Sequence, residues 1–349
     1  MEHGHAHSLA TRISALTFLL LGLALSCALS LSARSARADE ASDKTLLNAV
    51  PTLARHAPAA VPADYVVTPF GYFHPSCVRT VGPHDLLLGD GRLKRASGAL
   101  TPAHSCRFAH YTIGGRRIEA DALLEHGAMP LVGKPSTPPQ ANGWLEASWY
   151  HDKAPFGGVS ANWLVPSGPT SDVGQVLYAF PGLEDYENVV SILQPVLGWN
   201  GFNDHAWTIA SWNCCQGGNA DHSVPQRVAT GDLIVGAVSG DCPAGKVCSV
   251  WDIATIDRTN GRSTTLRRSS SYGQTFDWAF AGVVEVYGVA ACDQYSSDGF
   301  VDFSKVSLLD VDKKRLRSVR WAASGLLQGD APACNYGVTV SPTSASLTF

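Results

Sequence analysis

From residue 141 onward the sequence consists of short apolar segments, rich in β-branched and aromatic residues, that are separated by turns of Gly, Asn, Asp and Ser. Sustained helical periodicity is absent, which predicts many short strands packed in a β-sandwich or jelly roll. Asn260-Gly261 lies between two strand-like runs and predicts a type I′ hairpin. The predicted strands cover 159–165, 175–180, 189–197, 207–212, 233–239, 248–257, 263–266, 278–287 and 300–308.

The chain begins with a segment typical of export. Arg12 precedes an apolar run over 13–31, and the tripeptide at 36–38 is Ala-Arg-Ala, so residues 1–38 are predicted to be a cleaved secretory signal peptide. The alternative is an uncleaved membrane anchor, because the run is close to the lower length for a membrane span. No later run is long and apolar enough to span a bilayer. We therefore expect a secreted protein, extracellular or periplasmic, that has no membrane contact after cleavage.

The composition changes near residue 140. The segment 39–140 is rich in Pro, carries basic residues at 92–95 and 116–117, and lacks Trp, whereas all nine Trp lie from Trp144 onward. Its last residues, Lys-Pro-Ser-Thr-Pro-Pro-Gln at 134–140, are typical of a linker. We predict an N-terminal region at 39–140, either a propeptide or a permanent accessory module, and a β-sandwich domain at 141–349.

The cysteine count agrees with export. Eight cysteines remain after the predicted signal peptide, and an even number in an exported chain indicates up to four disulfides. A zinc site is the alternative, but no Cys-x-x-Cys pair is present. We expect Cys77 to pair with Cys106, Cys242 with Cys248, and the adjacent Cys214 and Cys215 to reach Cys292 and Cys334 in either order.

Charge and motifs exclude several functions. Removal of the signal peptide takes three of the 26 basic and one of the 30 acidic residues, which leaves 23 and 29 and a formal charge of −6. We therefore expect no nucleic-acid partner. The sequence lacks His-Glu-x-x-His and Gly-x-Ser-x-Gly, and Asp310-Val-Asp312 lacks the Gly and oxygen ligands of a calcium loop. We expect no metal and no organic cofactor.

Two predicted strands each carry one reactive type of polar side chain among apolar residues. Gln194 lies in Ser-Ile-Leu-Gln-Pro-Val-Leu-Gly and Glu285 in Trp-Ala-Phe-Ala-Gly-Val-Val-Glu-Val-Tyr-Gly. In one curved sheet, alternation would let them face each other across a groove. The carboxylate could then take a proton from water and return it to a leaving amine, while the carboxamide N–H binds an oxyanion. The alternative is two buried polar side chains with backbone partners.

Segments in the same order over residues 157–308 resemble the glutamic peptidases of the eqolisin family. The Ile-Leu-Gln segment followed by Trp199 is the most specific of them. The others are Val-Ser-Ala-Asn-Trp-Leu-Val-Pro-Ser (159–167), Tyr-Ala-Phe-Pro-Gly-Leu-Glu-Asp (178–185), the aromatic stretch 205–212, Gly-Asp-Leu-Ile-Val-Gly (231–236) and the strand 280–286.

This resemblance implies a fold, a site and an activity. The fold would be a two-sheet antiparallel sandwich of the concanavalin-like, lectin-like type, with Gln194 and Glu285 as the catalytic dyad on its concave face. A polypeptide would be the substrate, hydrolysed by activated water. The residues expected to shape the cleft are Phe180, Glu184, Trp199 and Trp207.

Departures from the family motivate an alternative function. Gly198 stands where the family has an acidic residue after its Gln strand, and Ile209-Ala210 stand where its next aromatic strand often carries Glu. The alternative is a secreted lectin-like protein without catalytic activity, in which Trp side chains stack on glycans.

Overall fold

Strands form almost all of the regular structure in the computed structural model, which describes residue 46 and residues 48–102, 104–120, 140–187 and 191–349. The predicted signal peptide and most of the predicted linker lie outside these ranges. Residues 49–349 belong to one compact unit. No helix among the described residues is long and apolar enough to cross a membrane.

The strands fall into three stretches of the chain. The first stretch holds β1 (Val66–Thr68), β2 (Gly71–Phe73), β3 (Val78–Val81), β4 (Leu86–Leu87), β5 (Leu93–Lys94), β6 (His110–Tyr111) and β7 (Arg117–Ile118). The second holds β8 (Ala141–His151), β9 (Phe156–Leu164), β10 (Val176–Glu184), β11 (Ile192–Trp199), β12 (Trp207–Cys214), β13 (Ala220–Ser223) and β14 (Gln226–Arg227). The third holds β15 (Leu233–Gly240), β16 (Val250–Asp257), β17 (Arg262–Ser270), β18 (Trp278–Val289), β19 (Phe300–Asp310), β20 (Ala322–Ser324), β21 (Gly337–Ser341) and β22 (Ser344–Thr348). Short 3₁₀ turns cover Pro75–Cys77, Gln216–Gly218 and Cys292–Gln294.

Two nine-stranded sheets build the sandwich. Sheet I has the order β20-β8-β18-β10-β11-β12-β13-β3, with β14 added beside β12, and sheet II has the order β21-β22-β19-β9-β15-β16-β17-β4-β5. A third sheet has four strands in the order β1-β2-β6-β7, and none of these strands pairs with a strand of the two large sheets. The predicted all-β sandwich is confirmed.

Each face of sheet I packs against a different partner, because side chains alternate along a strand. On β11, Leu193 and Leu197 enter an apolar cluster shared with sheet II, which includes Trp163 and Phe303. We call this the inner face of sheet I. The opposite, outer face carries Ile192 and belongs to a second cluster with residues from 54–113.

Residues 49–120 cover the outer face, and we call them the cover. Its β3 extends sheet I by pairing in parallel with β13, and its β4 extends sheet II through the parallel pair Leu86–Arg267. Ring contacts join Phe70 to Trp212 and Tyr72 to Tyr287, with centroids 6.0 and 5.3 Å apart. The cover therefore shares a core with sheet I. The predicted boundary near residue 140 stays a prediction.

The hairpin at Asn260-Gly261 forms, although its turn differs from the predicted type I′. Residues 258–261 connect β16 to β17, and of the two predicted turn residues only Gly261 has a positive φ, of 69°. The Asp257 carboxylate explains the difference, since it accepts hydrogen bonds from the backbone N–H groups of Thr259 and Asn260 at 2.9 and 3.1 Å. A side chain thus organises this turn.

The four disulfides match the expected pairs only in part. Cys77–Cys106 and Cys242–Cys248 form as predicted. The other two pairs were predicted wrongly, because Cys292 is bonded to Cys334 and Cys214 to its neighbour Cys215. The Cys77–Cys106 bond fastens β3 to a later part of the cover.

Candidate functional site

Gln194 and Glu285 lie on the outer face of sheet I, on the same side, as strand alternation predicted. Both side chains are fully buried. Their flanking residues on the same face, Ile192 and Tyr287 among them, belong to the cluster shared with the cover. The site is therefore closed in this structure.

The two side chains do not face each other closely, contrary to the expectation from sequence. The order of sheet I places β10 between their strands. Glu285 pairs with Tyr178, whereas Leu193 pairs with Leu183, so that Gln194 stands opposite Gly182. Two strand spacings and four residues along β10 separate their Cα atoms by about 16 Å. Glu285 is thus two strands away from Gln194, whereas β10, which carries Glu184, is the strand next to Gln194.

Tyrosines surround Glu285. The Tyr287 hydroxyl donates to Glu285 Oε1 at 2.5 Å, and the Gly71 N–H of the cover donates to the Tyr287 hydroxyl oxygen at 3.0 Å. The Tyr178 hydroxyl has no hydrogen-bond partner among the residues that the structure describes. Trp144 pairs with Glu285 across β8 and β18, and its indole N–H interacts with the Glu285 carboxyl group. A chain of hydrogen bonds thus connects the cover to this carboxyl group.

Burial controls the charge of Glu285. Loss of solvent raises its pKa from 4.5 to about 8, against the smaller opposing effect of the Tyr287 hydrogen bond. The Tyr287 pKa is also raised well above its ordinary value, by burial first and by the nearby Glu285 second. In the covered protein Glu285 is consequently a neutral acid at neutral pH.

A second polar group lies at the other end of the outer face. Glu184 pairs with Ile192 on one side and with Trp278 on the other. The Glu184 carboxyl oxygens, both Gln194 amide atoms and the Trp278 indole N–H are buried without hydrogen-bond partners. Each such group costs the folded state about 1–3 kcal/mol. Burial, aided by the charge of Asp185, raises the Glu184 pKa to about 8.

An apolar row separates the two polar groups. Phe180 pairs with Val283, and Val196 belongs to the same outer-face cluster. The Phe180 ring contacts Trp144 edge-on, with centroids 6.0 Å apart. Of the residues predicted to shape the cleft, Phe180 and Glu184 do lie on the face that carries Gln194.

The tryptophans of β11 and β12 lie elsewhere, so their predicted place in the cleft is wrong. Trp199 pairs with Trp207, and both pack against the inner cluster between the sheets. Alternation explains this. Trp199 lies two residues after Leu197 on β11, so its side chain points to the same inner face, and Trp207 is its partner on β12. Trp212, Trp251 and Trp278 are almost fully buried. None of these three tryptophans therefore offers an exposed ring face on which a glycan could stack.

The cover is attached to sheet I by a buried ion pair. Arg79 donates from Nε and Nη2 to the two carboxylate oxygens of Asp221, at 2.6 and 2.9 Å. Both side chains are largely buried. The exposed Arg92 instead pairs with Asp90 inside the cover. Arg95 and Arg117 of the basic patch likewise pair with Asp85 and Glu119 of the cover itself.

Sequence reasoning missed the tyrosines and the position of Glu184 as a diagonal neighbour of Gln194 on the adjacent strand. Tyr287 follows Glu285 by two residues, so alternation alone could have found it. The Tyr178 neighbour and the closeness of Glu184 to Gln194 depend on register, which alternation does not specify. Among the described residues no group of three or more His, Cys, Asp or Glu is placed to hold a metal ion.

Solved structures similar to this chain include glutamic peptidases. A scytalido-glutamic peptidase with a transition state analog inhibitor is 17% identical, covers 60% of this chain and 99% of its own, and superimposes with a TM-score of 0.44. SCP-B, a member of the eqolisin family in complex with the tripeptide Ala-Ile-His, is 17% identical over 59% of this chain and 98% of its own, with a TM-score of 0.41. The aspergilloglutamic peptidase from Aspergillus niger is 15% identical over 50% of this chain and 98% of its own, with a TM-score of 0.34.

No family model matches the sequence, and no curated protein matches it. The resemblance drawn from the sequence segments thus agrees with the kind of structure to which the chain is similar.

Proposed function

We propose that this chain is a secreted glutamic-type endopeptidase that hydrolyses polypeptides with a buried glutamic acid and Gln194. The observation that carries the proposal is the outer face of sheet I, where Gln194 and two glutamic acids are buried and the side-chain polar atoms of Gln194 and Glu184 have no partner among the described residues. Buried polar groups in proteins almost always have partners. Groups kept without partners therefore favour a task over a packing role.

The chemistry follows from the residue types. A glutamate accepts a proton from water as the water oxygen attacks the peptide carbonyl, and the glutamic acid then returns a proton to the leaving nitrogen. Gln194 cannot titrate, and its Nε2 group donates to the oxyanion that forms on the carbonyl oxygen. Two glutamic acids, Glu285 and Glu184, meet the description of the proton carrier, and the family resemblance assigns the role to Glu285.

The cover gives this proposal a latent form. Because residues 49–120 bury the outer face, a polypeptide reaches it only after the cover moves away. We therefore assign residues 39–140 the role of a propeptide, held on the sandwich by the parallel pairing of β3 with β13 and by the Arg79–Asp221 ion pair.

The test is hydrolysis of a denatured protein by the purified chain after a specific protease has cut it within residues 121–139 and the cover has dissociated, followed by mass spectrometry of the products between about pH 2 and 7. We expect peptide-bond cleavage that chelators and serine-directed reagents leave unchanged. Gln194→Ala should lower kcat by about 10²- to 10³-fold, as loss of one oxyanion donor does. Full activity of a folded Gln194→Ala variant would contradict the proposal, as would absence of cleavage after the cover has been released.

A further inference from the structure

Glu184 and Gln194 are diagonal neighbours on the outer face. Their strands, β10 and β11, are hydrogen-bonded to each other, with Glu184 opposite Ile192 and Gln194 two residues further along. Diagonal neighbours on one face of an antiparallel pair stand about 7 Å apart, within reach of long side chains. Glu285, two strands away, has no comparable position.

Gly182 opens the space between them. It stands opposite Gln194 and has no side chain, and a Cβ added there would lie 3.6 Å from Gln194 Cγ and 3.1 Å from the Leu193 carbonyl oxygen. The Gln194 side chain therefore lies over β10, the strand that carries Glu184. An alanine at this position would crowd the Leu193 carbonyl oxygen and would touch the Gln194 side chain at an ordinary contact distance.

The polar atoms of the Glu184 and Gln194 side chains make no hydrogen bond to any other described residue. The two Glu184 carboxyl oxygens and the two Gln194 amide atoms lack hydrogen-bond partners, although both residues are fully buried. The Trp278 indole N–H, opposite Glu184, is buried and unpartnered as well. Glu285 differs, since Tyr287 donates to it and connects it to Gly71 of the cover.

We propose that Glu184, rather than Glu285, is the catalytic general base and acid that works beside Gln194. The assignment rests on the proposed peptidase function. The Glu184 carboxylate takes a proton from water while the water oxygen bonds to the carbonyl carbon and the carbonyl π electrons move onto the oxygen, which accepts a hydrogen bond from Gln194 Nε2. The protonated Glu184 then gives its proton to the nitrogen as the C–N bond breaks and the C=O bond forms again, which leaves a carboxylic acid and an amine.

The covered state holds Glu184 inactive. Burial raises its pKa to about 8, so the carboxyl group keeps its proton and cannot accept one from water at acidic pH. We expect release of the cover to open the outer face as far as Glu184, which would bring the pKa of its carboxyl group toward the ordinary value. Removal of the cover therefore both opens the face and produces the base.

The experiment compares Glu184→Gln, Glu285→Gln and Glu187→Gln under the same proteolysis assay, each variant made as the full chain and then cut within residues 121–139 to release the cover. Glu187 is exposed and serves as the matched control with unchanged activity. Glu184→Gln should lower kcat by about 10²- to 10⁴-fold, the usual contribution of a general base. Its loss should exceed that of Glu285→Gln by at least ~10-fold in the same assay. The reverse order of losses, or an active and folded Glu184→Gln enzyme, overturns the assignment and leaves the peptidase proposal intact.

A second measurement keeps the assignment testable if the wild-type chain cleaves nothing and the peptidase proposal fails. Carboxyl resonances of ¹³C-labelled glutamate, with Glu184→Gln used to identify Glu184, report the titration of that group directly. Gln194→Leu should shift the titration of Glu184. An unshifted Glu184 titration in a folded Gln194→Leu variant would show that the two side chains do not interact and would overturn the pairing.

Discussion

Replacement of Glu285 by Gln should make the protein more stable at neutral pH and have little effect at acidic pH. Burial raises the pKa of Glu285 from 4.5 to about 8. In the unfolded chain the carboxyl group ionises near its ordinary pKa, whereas in the folded chain it stays protonated. Between these values the unfolded state therefore binds fewer protons, and the free energy of unfolding falls as pH rises.

The size of the effect follows from the pKa difference. Each pKa unit is worth about 1.4 kcal/mol, so the free energy of unfolding loses on the order of 4 to 5 kcal/mol by about pH 8 and almost nothing at about pH 4. A glutamine retains an acceptor for the Tyr287 hydroxyl and carries no charge. Glu285→Gln should recover most of that loss.

The assay is guanidinium unfolding followed by tryptophan fluorescence at one-unit pH intervals, for the wild type and for Glu285→Gln. The exposed Glu187→Gln is the control, and it should follow the wild-type curve. Buried histidines affect both proteins equally and cancel in the difference. A constant difference between Glu285→Gln and the wild type across this pH range would refute the reasoning, because it would mean that Glu285 ionises alike in both states.

Three further predictions follow from packing, charge and covalent structure. Gly282→Ala should lower the free energy of unfolding by roughly 1–3 kcal/mol in denaturant titrations, because its Cβ would lie 2.2 Å from the Phe303 ring. Arg79→Met should cost about 3–5 kcal/mol and speed hydrogen exchange in β3, because it leaves Asp221 buried without its cation. Peptide mapping without reduction should find the pairs Cys77–Cys106, Cys214–Cys215, Cys242–Cys248 and Cys292–Cys334.

Each of these predictions has a control or a contradicting outcome. Gly114→Ala, where an added Cβ meets no atom within 4 Å, should leave stability within about 0.5 kcal/mol of wild type. Arg92→Met removes an exposed ion pair and should cost less than about 1 kcal/mol. A cross-linked peptide that joins Cys214 or Cys215 to Cys292 or Cys334 would contradict the disulfide assignment.

Strand periodicity predicted the fold class and the shared face of Gln194 and Glu285 correctly. A period of two fixes which residues share a face, so that Gln194 and Glu285 were expected on one side of the sheet and are found there. The same rule, applied to Trp199 and Trp207, would have placed them opposite Gln194. Their assignment to the cleft followed from the resemblance rather than from alternation.

The sequence did not predict which residues of neighbouring strands in sheet I stand opposite each other. Whether Gln194 meets Glu285 or Glu184 depends on strand order and register, and these depend on contacts between distant segments. β10 comes between β18 and β11, although β18 is about 100 residues away along the chain. The irregular pairing between Phe180 and Gly182 also changes the alignment locally.

The role of the cover was visible only in part. Its composition marked residues 39–140 as distinct, yet its short apolar segments gave no sign that Tyr72 would meet Tyr287 on the outer face. Gly71 shows why, since its φ of 106° and the 2.3 Å between an added Cβ and the Tyr111 carbonyl oxygen are properties of the folded loop. A single glycine in a sequence does not reveal which neighbour it must approach.

Proteolytic activity before and after release of the cover tests the central claim most directly. A specific protease would cut the chain within residues 121–139, and the activity toward a denatured protein would be measured at about pH 4 as the cover dissociates. We predict low activity in the uncut chain and a rise that parallels dissociation of the cover, abolished by Glu184→Gln. A folded sandwich that has lost the cover and hydrolyses no peptide bond would contradict the claim that the outer face of sheet I is a peptidase site.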